Sequence, residues 1–404
     1  MTAMAQLTDA VVRCRMCLSW AQCRRKKEKS KLQRTRYSGL YYFLLLLVLH
    51  FALKALAMLQ RLVTMQEIPI KSWRPTDFVW SKAFALQADV WISSREDSLF
   101  SDRLGRNIRD VRIDQKADGR PLLIYVRTTE LDYFASSLCK DLASESWLLL
   151  TGDSVLTVPD EIDSEKVLAC SGLQKWFAQN LNGNVPSIVK PLPLGLDFHS
   201  RAMQSLLFNG GGRPSWQTIF WDPWVEPTRS PKEQELQLKG VLQGLPSTGD
   251  RKPLVYSDVQ FNAKYGRAFR RLRGGGQLGT RQDAVTALRS NPNIMWARGR
   301  LLRSRAWTLK SQYAFELSLP GVGLACHRTW ESLVLGNIVL MLGGTGLDPL
   351  YEGLPVIQFS SIEEMASMIT KGNLLKWRQQ FAGAFEDPRI RQRLHMSYWM
   401  NLIK

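Results

Sequence analysis

The chain has little of several things that would narrow its chemistry quickly. No Asp-x-Asp triplet occurs in its 404 residues, so that metal-chelating motif is absent. There is no Asn-x-Ser/Thr sequon, no internal repeat and no sustained heptad pattern, which sets aside solenoids and coiled coils. Cysteine is sparse, with six in all. Cys14-x-x-Cys17 and Cys23 have no fourth ligand at metal-knuckle spacing, which argues against zinc. Beside an apolar segment these thiols read as palmitoylation sites or as unreactive residues. Cys139 and Cys170 can pair, but spacing does not assign a disulfide. Acid is short relative to base, 36 Asp and Glu against 54 Lys and Arg, for a net charge of +18. Residues 1–40 hold Arg13, Arg15, Arg24, Arg25, Lys26, Lys27, Lys29, Lys31, Arg34 and Arg36 against Asp9 and Glu28. The rest of the chain is still basic, which favours an anionic ligand or surface.

What is present is apolar and ordered in blocks. Hydrophobic residues make up 45% of the chain and 14 are Trp, ample for two domains plus attachments. Residues 1–39 read as a basic cytosolic tail. Tyr41 to Leu59 is a nearly unbroken apolar run, about 28 Å long as a helix and close to the ~30 Å hydrocarbon core. Residues 40–59 are therefore expected to be a transmembrane signal anchor, with Lys54 snorkelling. The preceding positive block predicts a cytosolic N-terminus and a single-pass type II protein. Ala55-Leu56-Ala57 is also compatible with cleavage, and the Arg-rich start with an organelle transit peptide.

Beyond a stem, strands alternate with helices, the pattern of α/β domains with parallel sheets. Residues 60–208 are read as the first domain, 209–250 as a linker around Gly210-Gly211-Gly212, and 251–404 as the second domain. Strands are expected at Pro121–Val126, Trp147–Ser154 and Pro191–His199, and helices at Leu131–Leu142 and Val167–Ala178. Arg127, Asp132, Asp153, Asp197 and His199 fall at or just past strand ends, where such sheets hold ligands. In the second domain, Pro253–Asp258 opens a further strand, and Leu374–Ile403 is expected to be a terminal helical pair.

Tyr313 to Leu342 is the densest stretch. It reads as a strand to Leu319, a turn with Pro320, Gly321 and Gly323, a short helix, a stop at Gly336 and a strand from Ile338. A helix N-terminus after such a turn presents unpaired N–H groups to an anion. Arg328 adds a fork for phosphate oxygens. His327, Arg328 and Glu331 share a helix face by their spacing, and a carboxylate there suits ribose hydroxyls. An ordinary strand–helix–strand unit with an Arg–Glu surface pair fits the same residues.

Two segments resemble the exostosin-like glycosyltransferases, an algal and viral group related to family 47. One runs from Ile124-Tyr125-Val126-Arg127-Thr128 through Thr151-Gly152-Asp153-Ser154 and Trp176-Phe177-Ala178-Gln179-Asn180 to Leu192-Pro193-Leu194-Gly195-Leu196-Asp197-Phe198-His199. The other runs from Ser318-Leu319-Pro320-Gly321 through Cys326-His327-Arg328-Thr329-Trp330-Glu331 to Asp348-Pro349-Leu350-Tyr351-Glu352-Gly353-Leu354-Pro355-Val356. Ala325, Leu319 and Gly343-Gly344-Thr345-Gly346 depart from the pattern.

The resemblance implies a GT-B architecture, two Rossmann-like domains facing a cleft. It also implies transfer of a sugar from a nucleotide-sugar donor to a glycan or glycoprotein acceptor in a Golgi or other secretory-pathway membrane. Gly321, Gly323, His327, Arg328 and Glu331, with Arg267 as a second phosphate contact, are the expected donor-binding set. Asp153 and then Asp132 are the expected bases in an inverting displacement. The nucleotide-sugar is a co-substrate, so no cofactor is expected, and with no Asp-x-Asp no metal is expected. The rival readings are a membrane-tethered basic nucleic-acid-binding protein and an inactive glycan-binding relative. No nucleic-acid-binding motif accompanies the Arg clusters, so nucleic acid is not an expected partner.

Overall fold

The computed structural model describes residues 24–25, 41–56, 59, 73–92, 119–143, 145–183, 185–202, 228–259, 281–297, 301–321 and 323–404. The chain divides into one unit of residues 1–64 with 215–222 and a second unit holding the remainder. In the first, residues 41–56 are helical and their large apolar side chains are exposed, from 42% at Leu47 to 68% at Leu56. Among the described residues, no helix is long and apolar enough to cross a membrane.

The second unit contains two five-stranded sheets, parallel throughout. The first lobe has β1 Val90–Ile92, β2 Leu122–Arg127, β3 Trp147–Gly152, β4 Leu173–Ala178 and β5 Val189–Pro191, in that spatial order. The second lobe has β6 Lys252–Ser257, β7 Ile294–Trp296, β8 Tyr313–Ser318, β9 Ile338–Leu342 and β10 Val356–Phe359, in the order β10-β9-β8-β6-β7. Strands β3, β8 and β9 are buried at every position, as parallel strands covered on both faces must be. The longer helices are α1 Ser81–Gln87, α2 Ser164–Leu168, α3 Pro231–Gln243, α4 Arg281–Leu288, α5 Arg303–Lys310, α6 His327–Val334, α7 Ile362–Met368, α8 Lys371–Gln380, α9 Pro388–Arg393 and α10 Met396–Ile403. The two-lobe α/β arrangement implied by the resemblance is thus the observed one.

Four local expectations need correction. The helix expected over Val167–Ala178 is instead α2 followed by strand β4. Gly172 separates them at φ +80°, where a Cβ would lie 1.9 Å from the Glu145 carbonyl, so the chain turns instead of continuing a helix. Trp176 is then fully buried and donates from Nε1 to Thr151 Oγ1 at 2.9 Å. The third strand covers only Val189–Pro191, because Pro191 and Pro193 have no N–H for a ladder. The polar stretch read as linker contains α3, started by a reciprocal Ser230–Glu233 capping box. Its Glu235 is fully buried and accepts from the Asp77 and Phe78 amides at 2.6 and 2.9 Å. The C-terminal pair is three helices, and the last begins on the first lobe: Met396 N donates to Asp77 O at 2.8 Å and Val79 N to Leu394 O at 3.0 Å. Cys139 and Cys170 form a disulfide, and Cys326 is a free thiol.

Candidate functional site

Sheet order places the site. In the second lobe the order reverses between β6 and β8, and the loops beyond the C-terminal ends of such a pair splay apart and leave a crevice. Asp258 follows β6 directly, and the turn at Pro320 and Gly321 follows β8. The crevice opens into a cavity of about 640 Å³ lined from both lobes. Ser81, Asp153, Asn180, Asp197 and His199 come from the first lobe, and Asp258, Arg303, Gly321, Gly323, Cys326, His327, Arg328 and Glu331 from the second.

Glycine is required at two points. At Gly323 a Cβ would lie 2.9 Å from Asn180 Oδ1. Asn180, itself at φ +53°, joins the lobes there by accepting from Ala325 N at 2.8 Å and donating to Ser154 O at 2.8 Å. At Gly195, φ +67°, a Cβ would lie 2.4 Å from the Val79 carbonyl. Helix α6 follows the glycine turn with Cys326 at its N-cap and no side chain capping its N–H groups.

Beneath that N-terminus lies a charged network. The guanidinium of Arg328 donates from Nε to the Asp258 carboxylate and lies 3.7 Å from Glu316 Oε1. Its Nη1 reaches Cys326 Sγ at 3.5 Å. Lys310, at the end of α5 and 1% exposed, is 3.3 Å from Glu316, 3.5 Å from Asp258 and 3.8 Å from Glu331. Burial alone would raise the Asp258 carboxyl, but Lys310 and Arg328 hold it well below its ordinary range. Burial likewise works against the Lys310 ammonium, and the three carboxyl groups around it still push it above its ordinary value. Glu316 is fully buried in the middle of β8, and burial outweighs Lys310 and pushes its carboxyl up to about 8. Burial thus makes Glu316 hold its proton to higher pH than an ordinary glutamate, and while protonated it offsets less of the charge of Lys310 and Arg328.

Of the expected site residues, Asp153, Gly321, Gly323, His327, Arg328 and Glu331 line this one cavity. Asp132 does not: it is exposed on the helical segment after β2, a strand end that points its acid to solvent, and the expectation that it serves as a base is withdrawn. Arg267 lies outside the described residues. Asp153 is in place, but its Oδ1 accepts from the buried Lys82 ammonium at 2.6 Å, and Arg127 Nε lies 3.9 Å from its Oδ2. Its carboxylate is committed to these cations.

The sequence placed Asp197 and His199 at a strand end without assigning them a role, and gave no role to Lys310, Glu316, Asp258 or Lys82. The only signals were an acid inside a buried strand and a lysine closing the helix before it. Asp197, His199 and His327 each offer one donor atom within 4.8 Å of the others, the one such trio among the described residues.

No protein-family model matches the chain, and no curated protein does. Several solved structures resemble it at low identity. One described as trehalose-6-phosphate from E. coli bound with UDP-2-fluoro glucose is 10% identical over 70% of this chain and 73% of that one, with a TM-score of 0.34. An alpha1,3-fucosyltransferase with GDP-fucose is 12% identical over 70% and 90%, at 0.30. A UDP-forming alpha,alpha-trehalose-phosphate synthase from Burkholderia xenovorans, in complex with glucose-6-phosphate, is 14% identical over 70% and 73%, at 0.33. Likenesses of this size carry no argument about chemistry.

Proposed function

We propose that this chain is a glycosyltransferase of the exostosin-like kind, moving a sugar from a nucleoside diphosphate donor to a hydroxyl of a glycan or glycoprotein. The observation that carries the reading is the convergence of the β6/β8 crevice, the Gly321–Gly323 turn, the uncapped start of α6 and the Arg328–Lys310 pair on one cavity. In this reading the donor diphosphate lies against the α6 N–H groups and the outer edge of Arg328, where the helix dipole and the guanidinium both favour anionic oxygens. Glu331, 17% exposed and beside Lys310, accepts from ribose hydroxyls. The acceptor enters from the first lobe, and its hydroxyl attacks the anomeric carbon from the face opposite the diphosphate, with inversion.

As the carbon–oxygen bond to phosphate breaks, negative charge grows on the leaving diphosphate. Preorganised Arg328, Lys310 and the helix terminus stabilise it, so the reading needs no metal. The exposed apolar helix over residues 41–56, behind a basic tail, supports attachment to a secretory-pathway membrane, with the two lobes on the lumenal side.

The test is a thermal-shift panel of UDP, GDP, ADP and CDP on the full chain. A nucleotide at about 100 times its dissociation constant stabilises the folded state by about 2.7 kcal/mol, a shift of a few degrees. Arg328→Ala is expected to weaken the binding nucleotide about tenfold to a hundredfold. No shift with any nucleotide, or an unchanged affinity in Arg328→Ala, would sink the donor assignment.

A further inference from the structure

The first lobe's share of the cavity contains an oriented imidazole. Asp197 is held in place by two donors: Ser200 N donates to its Oδ1 at 3.0 Å and Arg303 Nη2 to its Oδ2 at 3.1 Å. The same Oδ1 lies 3.2 Å from Nδ1 of His199, and the Ser81 hydroxyl lies 3.4 Å from that nitrogen. A carboxylate at that distance favours the ring proton on Nδ1, which leaves Nε2, on the far edge of the ring, unprotonated. The ring is neutral near pH 7: burial pushes His199 down to about 4, Lys82 and His327 push the same way, and Asp197 and Asp153 oppose them.

Across the cleft, His327 meets the Gly195 carbonyl through Nδ1 at 2.7 Å. A carbonyl only accepts, so that nitrogen carries the proton. The two rings are 5.4 Å apart between centroids. Asp197 already accepts from Ser200 and Arg303, and Lys82 adds positive charge nearby, so the trio is a poorer seat for a cation than for a proton.

Resting on the transferase reading, we propose that His199 is the general base, with Asp197 as its positioning residue. Nε2 of His199 takes the acceptor hydroxyl's proton as the hydroxyl oxygen bonds to the anomeric carbon. The bond from that carbon to the diphosphate breaks, and its electron pair leaves with the diphosphate. The imidazolium formed faces the Asp197 carboxylate, which stabilises it. Asp153, the acid first expected in this role, stays paired with Lys82.

The experiment uses the full chain, with UDP- and GDP-sugars as donors, mixed oligosaccharides as acceptors and nucleotide release as the readout. His199→Gln is expected to lower kcat by about 10²- to 10⁴-fold, with the nucleotide dissociation constant and melting temperature held within the wild-type range. Asp197→Asn is expected to lower kcat less and to move the acid limb of kcat/KM to lower pH, because the imidazole loses its carboxylate. A merely structural Asp197 would not move that limb.

Imidazole ¹⁵N shifts give a readout independent of turnover, since the chain has only four histidines. The proton is expected on Nδ1 at both His199 and His327, and a proton on Nε2 of His199 overturns the proposal. So does a kcat loss below threefold in His199→Gln, a larger loss in His327→Gln, or activity abolished by a chelator and restored by a divalent cation. Wild-type protein that binds none of the nucleotides removes the transferase reading itself and the base with it. Intact nucleotide binding with a fully active His199→Gln removes the base alone.

Discussion

The two sheets have the same strand count and differ in order. The first runs β1 to β5 without reversal, and the second reverses between β6 and β8. The reversal opens a crevice, and the second lobe sets the buried Lys310 ammonium beside it, close to the buried Glu316 and to the cavity-lining Asp258 and Glu331. The first lobe presents a wall of loop residues, and its acids are held by several partners each, Asp153 by Lys82 and Arg127, and Asp197 by Ser200 N, His199 and, from the other lobe, Arg303. One lobe thus gathers Lys310 and Arg328 among three carboxyl groups. The other is built to hold an uncharged imidazole in one orientation.

The sharpest way to break this contrast is to remove the cation at the centre of the second lobe. Lys310→Met removes the buried ammonium that the buried Glu316 and the cavity-lining Asp258 share, and leaves Asp258 with Arg328 alone. It is expected to cost about 3–5 kcal/mol in urea unfolding, as broken buried pairs do. A loss below about 1 kcal/mol would show that water reaches the network and that it does not organise the lobe. The matching break in the first lobe is the disulfide. Cys139→Ser with Cys170→Ser opens a link between residues 31 apart and is expected to cost about 2–4 kcal/mol, while nucleotide affinity, a property of the other lobe, stays within twofold.

A third break is read as a slope with pH. Glu316 has a folded-state value near 8 against an ordinary 4.5. Between those values the folded protein binds more protons than the unfolded one, so this group's contribution to stability falls as pH rises from about 4.5 to about 8 and is flat above. Glu316→Gln is expected to remove that decline. Parallel wild-type and Glu316→Gln stability curves across pH 5 to 8 would count against a protonated Glu316. His199 runs the other way, with a folded value near 4 below its ordinary 6.5, so its contribution is lost as pH falls from about 6.5 to about 4.

Much of the second lobe was legible in the chain. Tyr313 to Leu342 carries its strand, glycine turn, helix and stop in order, because each local signal agrees with the fold around it. Reading was poorer in the first lobe. Trp176 and Phe177 sit in an apolar run too short to separate helix from strand by periodicity, and Pro193 disguised an extended loop as a strand. Asp132 and Asp153 looked alike in sequence, each an acid beyond a strand, yet one faces solvent and the other the cavity.

By itself the sequence determined that strands and helices alternate, that a glycine-rich turn leads into the Arg328 helix, and that apolar strands would be covered on both faces. These follow from residue type and spacing within one or two elements. Only the tertiary structure decided where the sheet order reverses, that Asp258 and Glu316 converge on Lys310 from positions far apart in the chain, that Lys82 neutralises Asp153, and that His199 and His327 meet across the cleft. Those outcomes depend on burial and on charges brought together by folding, and neither quantity exists until the two lobes have formed.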